Sequence, residues 1–167
     1  GGGGGGGRYG EYNLFVEDLA TGRITKLTTD GLRTTINGTF DWVYEEELGL
    51  QDGWRWSPDG RSIAYWQLDA TGVRDFPLYN TTDSLYAYFF DVQYPKAGET
   101  NSAGRVGVVS AAGGATRWMN VPGDPRNNYI ARMEWAPPLD RGAGSTELVM
   151  QHMNRLQNTL HVMIADA

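Results

Sequence analysis

Three consecutive carboxylates, Glu45, Glu46 and Glu47, are the side chains whose type and spacing most clearly suggest chemistry in this sequence. Like charges a few ångströms apart repel one another, so a folded chain keeps such a cluster only where something offsets the repulsion. In a short helix over residues 41–48, Glu46 and Glu47 would project roughly 100° apart and converge on one cation beside the helix. The alternative is a solvated acidic turn that binds nothing.

The neighbouring residues predict how this helix is held. Asp41 is a favoured N-cap residue, Gly49 is a favoured terminator about two turns later, and acidic groups near a helix N-terminus are stabilised by its dipole. Trp42 and Tyr44 either line a substrate pocket or pack the helix against the rest of the fold, and packing is at least as well supported.

The composition argues against several classes of function. The 167-residue chain carries a formal charge of -6, whereas nucleic acids reward basic surfaces. No apolar run approaches the length that crosses a bilayer, so no membrane span is expected in this segment. The absence of cysteine excludes disulfides and thiolate chemistry. His152 and His161 lack partners at catalytic or metal-ligand spacing, so we expect structural or surface roles for both, and no cofactor or metal.

Three β-hairpins are predicted along the chain. Strand-like runs flank a glycine-containing turn within residues 12–28, and a third hairpin covers residues 105–121. Between them, Ser-Pro-Asp-Gly at residues 57–60 is a turn in which proline presets φ and glycine takes positive φ. The aromatic run at residues 86–90 is predicted to be a buried strand, with a ligand- or partner-binding surface as the alternative.

The turn motif and the strand-like runs recur in the C-terminal part of the chain. Met-Glu-Trp-Ala-Pro-Pro at residues 133–138 echoes Arg-Trp-Ser-Pro-Asp at residues 55–59, and residues 147–152 and 160–166 supply two further strand-like runs. Four-stranded units that recur with a Trp-x-Pro turn are typical of a β-propeller.

We therefore predict an all-β fold, a partial β-propeller of about two to three blades of four-stranded antiparallel sheet. A short acidic helix is inserted at residues 41–48. Residues 1–8 are expected to be a glycine-rich linker or boundary remnant, and residues 9–167 the propeller segment.

Four motifs make the chain resemble the dipeptidyl peptidase IV family. They are Asp-Trp-Val-Tyr-Glu-Glu-Glu at residues 41–47, Trp-Ser-Pro-Asp-Gly at 56–60, Tyr-Pro-Lys-Ala-Gly at 94–98 and Arg-Leu-Gln-Asn at 155–158. The Trp-Val-Tyr-Glu-Glu-Glu string is highly specific to this family. The missing cysteines and the Leu-Gly-Leu continuation look closer to bacterial members.

The resemblance implies a serine exopeptidase that pairs an N-terminal β-propeller with a C-terminal α/β-hydrolase domain. Such enzymes release Xaa-Pro or Xaa-Ala dipeptides from free peptide N-termini. By resemblance, Glu46 and Glu47 bind the N-terminal ammonium of the substrate, and Glu45 supports the helix. The resemblance also implies a periplasmic or secreted bacterial protein. Homodimers are common in the family, with contacts expected largely outside this segment.

This implied role agrees with elementary electrostatics. A peptide α-amine has a pKa of about 8 and is mostly protonated at neutral pH. Two unit charges about 4 Å apart attract by roughly 4 kcal/mol at an effective dielectric near 20, against about 1 kcal/mol in bulk water. Two extended residues span roughly 7 Å, so an anchored amine presents the second peptide bond to a fixed nucleophile.

No Gly-x-Ser-x-Gly nucleophile motif occurs in the sequence. By resemblance, the catalytic serine, aspartate and histidine belong to the hydrolase domain, and an arginine for the substrate carbonyl lies upstream. We therefore expect no catalytic residue in this chain, which should cut nothing by itself. The alternatives are a non-enzymatic β-propeller that serves as a binding scaffold and a family member without catalytic activity.

Overall fold

The structure is a computed structural model that describes residues 12–137 and 146–167. The glycine tract at the N-terminus and Pro138, the last residue of the motif at 133–138, lie outside these ranges. The described residues form one short helix, Val43–Glu47, and twelve β-strands. The strands are β1 (Phe15–Asp18), β2 (Arg23–Lys26), β3 (Thr35–Asn37), β4 (Trp54–Trp56), β5 (Ser62–Asp69), β6 (Asp75–Asn80), β7 (Tyr88–Gln93), β8 (Ala103–Ser110), β9 (Arg117–Trp118), β10 (Asn128–Trp135), β11 (Glu147–Asn154) and β12 (Leu160–Asp166).

The largest sheet is a four-stranded blade whose first strand is broken. β5 pairs along its whole length with β8, and β8 pairs with β9. On the other edge of β5, β3 pairs with its C-terminal end and β4 with its N-terminal half. β3 and β4 therefore share one strand position, and the helix Val43–Glu47 lies in the chain between them. We call this sheet the middle blade and this helix the acidic helix.

β5 is buried on both faces, in keeping with its largely apolar sequence, which Gln67 interrupts as a buried polar residue. Successive side chains in a strand point to opposite faces. Trp66 and Leu68 belong to a core shared with Ile130 of β10, whereas Tyr65 belongs to a second core with Leu14 beside β1. The middle blade thus packs between the sheet that contains β1 and the sheet that contains β10, as a blade does in a propeller.

The flanking sheets are parts of neighbouring blades. β1 and β2 form an antiparallel hairpin, and β10, β11 and β12 form a three-stranded antiparallel sheet. The predicted partial β-propeller is confirmed, as are the three predicted hairpins β1–β2, β4–β5 and β8–β9. The described residues contain the end of one blade, one whole blade and most of another.

One prediction about the fold is wrong. The aromatic run at residues 86–90 enters β7, which pairs with β6 in a separate two-stranded hairpin inserted between β5 and β8. Tyr86, Phe89 and Phe90 are 82%, 70% and 43% exposed. No other sheet covers this hairpin among the described residues, so its aromatic side chains stay on the surface although their composition is typical of a core.

Candidate functional site

The acidic helix is a single π-helical turn rather than two α-helical turns. The Leu48 N–H donates to the Val43 carbonyl at 3.3 Å, a bond between residues five apart. Gly49 follows with φ of 65°, a left-handed conformation that ends the helix as predicted. A π-turn holds more residues than an α-turn, so neighbouring side chains project less than roughly 100° apart. Adjacent carboxylates therefore point in more similar directions than they would in the predicted α-helix.

The Asp41 side chain stabilises the first turn of the helix from one position before the N-cap residue. Trp42 is the N-cap residue and makes no side-chain capping bond, but the Asp41 carboxylate accepts a hydrogen bond from the Tyr44 N–H at 3.1 Å. Burial raises the pKa of Asp41, and the Tyr44 N–H is among the hydrogen bonds that oppose this rise. Asp41 therefore supports the turn from beneath and is not part of the exposed acidic surface.

Tyr44 anchors the helix to the core. Its side chain is 1% exposed and its ring stacks on Phe40 with centroids 5.4 Å apart. Its hydroxyl accepts a hydrogen bond from the Ile130 N–H at 3.1 Å, next to a register shift in the pairing of β10 with β11. Trp66 donates its indole N–H to the Ile130 carbonyl at 2.9 Å. One side chain of the acidic helix and one of the middle blade thus satisfy both backbone groups of one residue in the next sheet.

Because Val43 and Tyr44 face the core, the glutamates that follow turn outward. Glu45 is half-buried, and Glu46 and Glu47 are exposed. Within residues 12–137 and 146–167, neither Glu46 nor Glu47 forms an ion pair with a lysine or arginine. The two carboxylates therefore remain available to an external cation, which is what the predicted role requires.

Glu47 does have one neutral partner. Its Oε2 accepts a hydrogen bond from Nε2 of Gln157 at 2.9 Å. Tyr129 lies close to this contact: burial raises the pKa of Tyr129, the charge of Arg155 opposes the rise and the charge of Glu47 reinforces it. Arg155 in turn donates to the backbone carbonyl of Glu99. The turn between β11 and β12 thus reaches the acidic helix.

Sequence reasoning included Gln157 only as part of the family motif at residues 155–158 and assigned it no role. The contact with Glu47 joins residues 110 positions apart. No local pattern signals such a contact.

The two aromatic residues before the glutamates have different roles. Tyr44 packs the helix against the core, as described above. Trp42 is half-buried, lies 5.1 Å from Tyr94 between ring centroids, and lines an open apolar pocket of about 250 Å³. The other lining residues come from the inserted hairpin and the segment after it: Phe76, Leu78, Val92, Tyr94 and Lys96.

The two histidines lie directly opposite each other on adjacent strands. His152 on β11 pairs with His161 on β12, and their ring centroids are 6.4 Å apart. Across the described ranges, no group of three or more metal-ligating side chains comes together. In the same part of the chain, no helix is long and apolar enough to cross a membrane.

These observations define an arc of a β-propeller that carries an exposed carboxylate pair at the break in one blade's first strand. The chain belongs to the dipeptidyl peptidase IV family, because the family described as "Dipeptidyl peptidase IV (DPP IV) N-terminal region" matches residues 9–167. The resemblance inferred from the four sequence motifs is confirmed.

Solved structures and curated relatives agree with this family. The chain is similar to the crystal structure of Porphyromonas gingivalis dipeptidyl peptidase 4, with a TM-score of 0.79 and 30% identity over 92% of this chain and 21% of that one. It is 30% identical to "Probable dipeptidyl-aminopeptidase B" of Grosmannia clavigera over 93% of this chain and 18% of the relative. It is also 30% identical to "Inactive dipeptidyl peptidase 10" of Rattus norvegicus over 89% of this chain and 18% of the relative. The chain therefore spans about a fifth of the length of these proteins.

Proposed function

We propose that this propeller segment binds the free N-terminal ammonium of a peptide through Glu46 and Glu47. The complete protein would then be a serine exopeptidase that releases Xaa-Pro or Xaa-Ala dipeptides. The observation that carries the proposal is the pair of adjacent exposed carboxylates without ion pairs among the described residues, held outward by the buried Tyr44.

The electrostatics favour an ammonium over a neutral acylated N-terminus. Two adjacent anions repel each other until a cation lies between them, so a bound ammonium removes a penalty that an amide leaves in place. Solvent weakens this attraction at exposed positions. A substrate that also shields the carboxylates from water would strengthen it.

The chemistry itself is assigned to a second domain. We propose that a C-terminal α/β-hydrolase domain of the same polypeptide supplies the nucleophile, and that this segment alone does not cleave peptides. The amine anchor then sets the cleavage point, because two extended residues span roughly 7 Å. We further propose a periplasmic or secreted bacterial protein, which the similarity to Porphyromonas gingivalis dipeptidyl peptidase 4 supports.

The test is a pair of isosteric substitutions in the full-length protein, Glu46→Gln and Glu47→Gln. Each should lower kcat/KM for a free-N-terminus Xaa-Pro substrate by about 100-fold, because loss of one close charge removes a few kcal/mol of attraction. Glu45→Gln is the matched control and should change kcat/KM by less than about threefold, since Glu45 makes no proposed contact with substrate. Equal activity of all three variants and the parent would reject the role of the pair.

A second candidate function is a family member that binds peptides without cleaving them. The 30% identity to a protein named "Inactive dipeptidyl peptidase 10" supports this second candidate. A Gly-x-Ser-x-Gly motif in the downstream sequence would favour the peptidase. Its absence, together with retained binding of free-N-terminus peptides, would favour the binding protein.

We also propose that the complete protein forms a homodimer. Within the described residues, the surface that supports this is the inserted hairpin, where Leu85 and Tyr86 are 92% and 82% exposed. Part of the proposed interface would then lie inside this segment, although the family resemblance implies contacts largely outside it. An isolated two-stranded hairpin is marginally stable in water, so a second copy that covers these side chains would stabilise it.

A further inference from the structure

Gln157 occupies a backbone conformation that its side chain does not favour. Its φ is 56°, and it is the one non-glycine residue with positive φ in the part of the chain that the structure describes. A left-handed conformation is unfavourable for most residues, whereas glycine and asparagine adopt it readily. The position therefore keeps a glutamine where a glycine would fit the backbone better, which points to a use for the side chain.

The surrounding turn holds this residue in place. The Gln157 N–H donates to the Asn154 carbonyl at 2.9 Å, and the Asn154 side-chain oxygen accepts the N–H groups of Asn158 and Thr159, each at 3.1 Å. The Arg155 N–H donates to the carbonyl of Asn127 at 2.9 Å. These bonds join the turn to the loop before β10, so they fix the backbone of Gln157 and with it the direction in which the Cα–Cβ bond points.

That direction leads to the acidic helix. Nε2 of Gln157 lies 2.9 Å from Oε2 of Glu47. An ionised carboxylate only accepts hydrogen bonds, so the amide nitrogen must be the donor. The bond limits rotation of the carboxylate, while the other oxygen stays available.

We infer that Gln157 is a positioning residue for Glu47, which it orients toward the substrate ammonium. The inference rests on the proposed function of the glutamate pair. Gln157 itself does not touch the reacting atoms. Both residues are exposed, so the bond competes with water and its contribution is modest.

The test is a double-mutant cycle in the full-length protein, with Gln157→Gly and Glu47→Ala alone and combined. Gln157→Gly removes the amide but suits the positive φ, so the turn should remain folded. We expect it to raise KM for a free-N-terminus Xaa-Pro substrate by about three- to tenfold with kcat little changed. In the Glu47→Ala background it should have no further effect, because its partner is absent.

Two further variants separate positioning from a structural role. Leu156→Ala, a neighbour in the same turn that is 80% exposed, should leave KM unchanged. Gln157→Glu places a second carboxylate beside Glu47, so the acid limb of the pH profile of kcat/KM should move to higher pH. If the full-length protein binds peptides without cleaving them, the same variants can be compared by their affinity for the dipeptide Ala-Pro, measured by calorimetry.

The outcomes distinguish the inference from the function on which it rests. If Glu47→Ala weakens binding but Gln157→Gly matches the parent, the positioning role is wrong and the proposed function stands. Equal effects of Gln157→Gly in both backgrounds would also overturn it, because Gln157 would then act through the turn alone. If Glu47→Ala has no effect, the proposed function is itself wrong.

Discussion

Replacing Gly104 by alanine should disturb the acidic helix from the strand beneath it. A Cβ at this position of β8 would lie 2.7 Å from the Tyr44 hydroxyl oxygen, which is closer than real Cβ contacts allow. The next atoms are Cδ2 of Leu68 at 3.4 Å and Cζ of Tyr44 at 3.6 Å. The clash thus depends almost entirely on one hydroxyl group, and Gly104→Ala should cost about 1–3 kcal/mol by overpacking.

Tyr44→Phe removes the same hydroxyl and has its own cost. The Ile130 N–H would lose its acceptor in a fully buried site, which costs about 1–3 kcal/mol. The phenyl ring would keep its stacking on Phe40. The double variant should therefore be about as stable as Tyr44→Phe alone, because alanine at position 104 then meets only ordinary contacts.

Equilibrium denaturation of the full-length protein, followed by tryptophan fluorescence, measures this coupling. We expect the double variant to lose less free energy of unfolding than the sum of the two single-variant losses, by about 1–3 kcal/mol. Steady-state kinetics should show that Gly104→Ala raises KM more than Tyr44→Phe does, because it pushes the helix that carries Glu46 and Glu47. Simple additivity of the two penalties would refute the packing argument.

Two further predictions concern pH and assembly. Burial and the neighbouring His161 lower the pKa of His152 below its usual value of 6.5. The unfolded chain therefore takes up a proton that the folded chain resists, and stability should fall as pH drops from about 7 to 5. Denaturation midpoints of His152→Gln should depend less on pH in this window, and an unchanged slope would contradict the assignment. For the proposed homodimer, Leu85→Glu combined with Tyr86→Glu should produce monomers in sedimentation velocity, whereas a persistent dimer would exclude the inserted hairpin as the interface.

Local sequence was sufficient wherever local chemistry decides the structure. In the turn between β4 and β5, the Gly60 N–H donates to the Ser57 carbonyl at 2.9 Å, and the Ser57 hydroxyl contacts Asp59 at 2.7 Å. Gly60 takes φ of 69°, as the turn requires. Bonds between residues two or three apart form in the same way whatever surrounds them, so this hairpin could be predicted from its residue types alone.

The aromatic run at residues 86–90 shows where composition was insufficient. Its residue types fit a buried strand, but burial depends on which surface lies opposite, and residue types do not specify that surface. The acidic helix is a similar case. Asp41 and Gly49 predicted its limits, yet the π-turn arises where Val43 and Tyr44 must both reach the core.

The sequence by itself determined that the chain is an arc of a β-propeller and that Glu46 and Glu47 are the candidate binding pair, because strand patterns, turn residues and a contiguous motif are local information. Only the tertiary structure decided which way those carboxylates face and what holds them. The bonds responsible join Tyr44 to Ile130, 86 positions apart, and Glu47 to Gln157, 110 positions apart. Such contacts form only when separate blades pack together, and packing is a property of the whole fold.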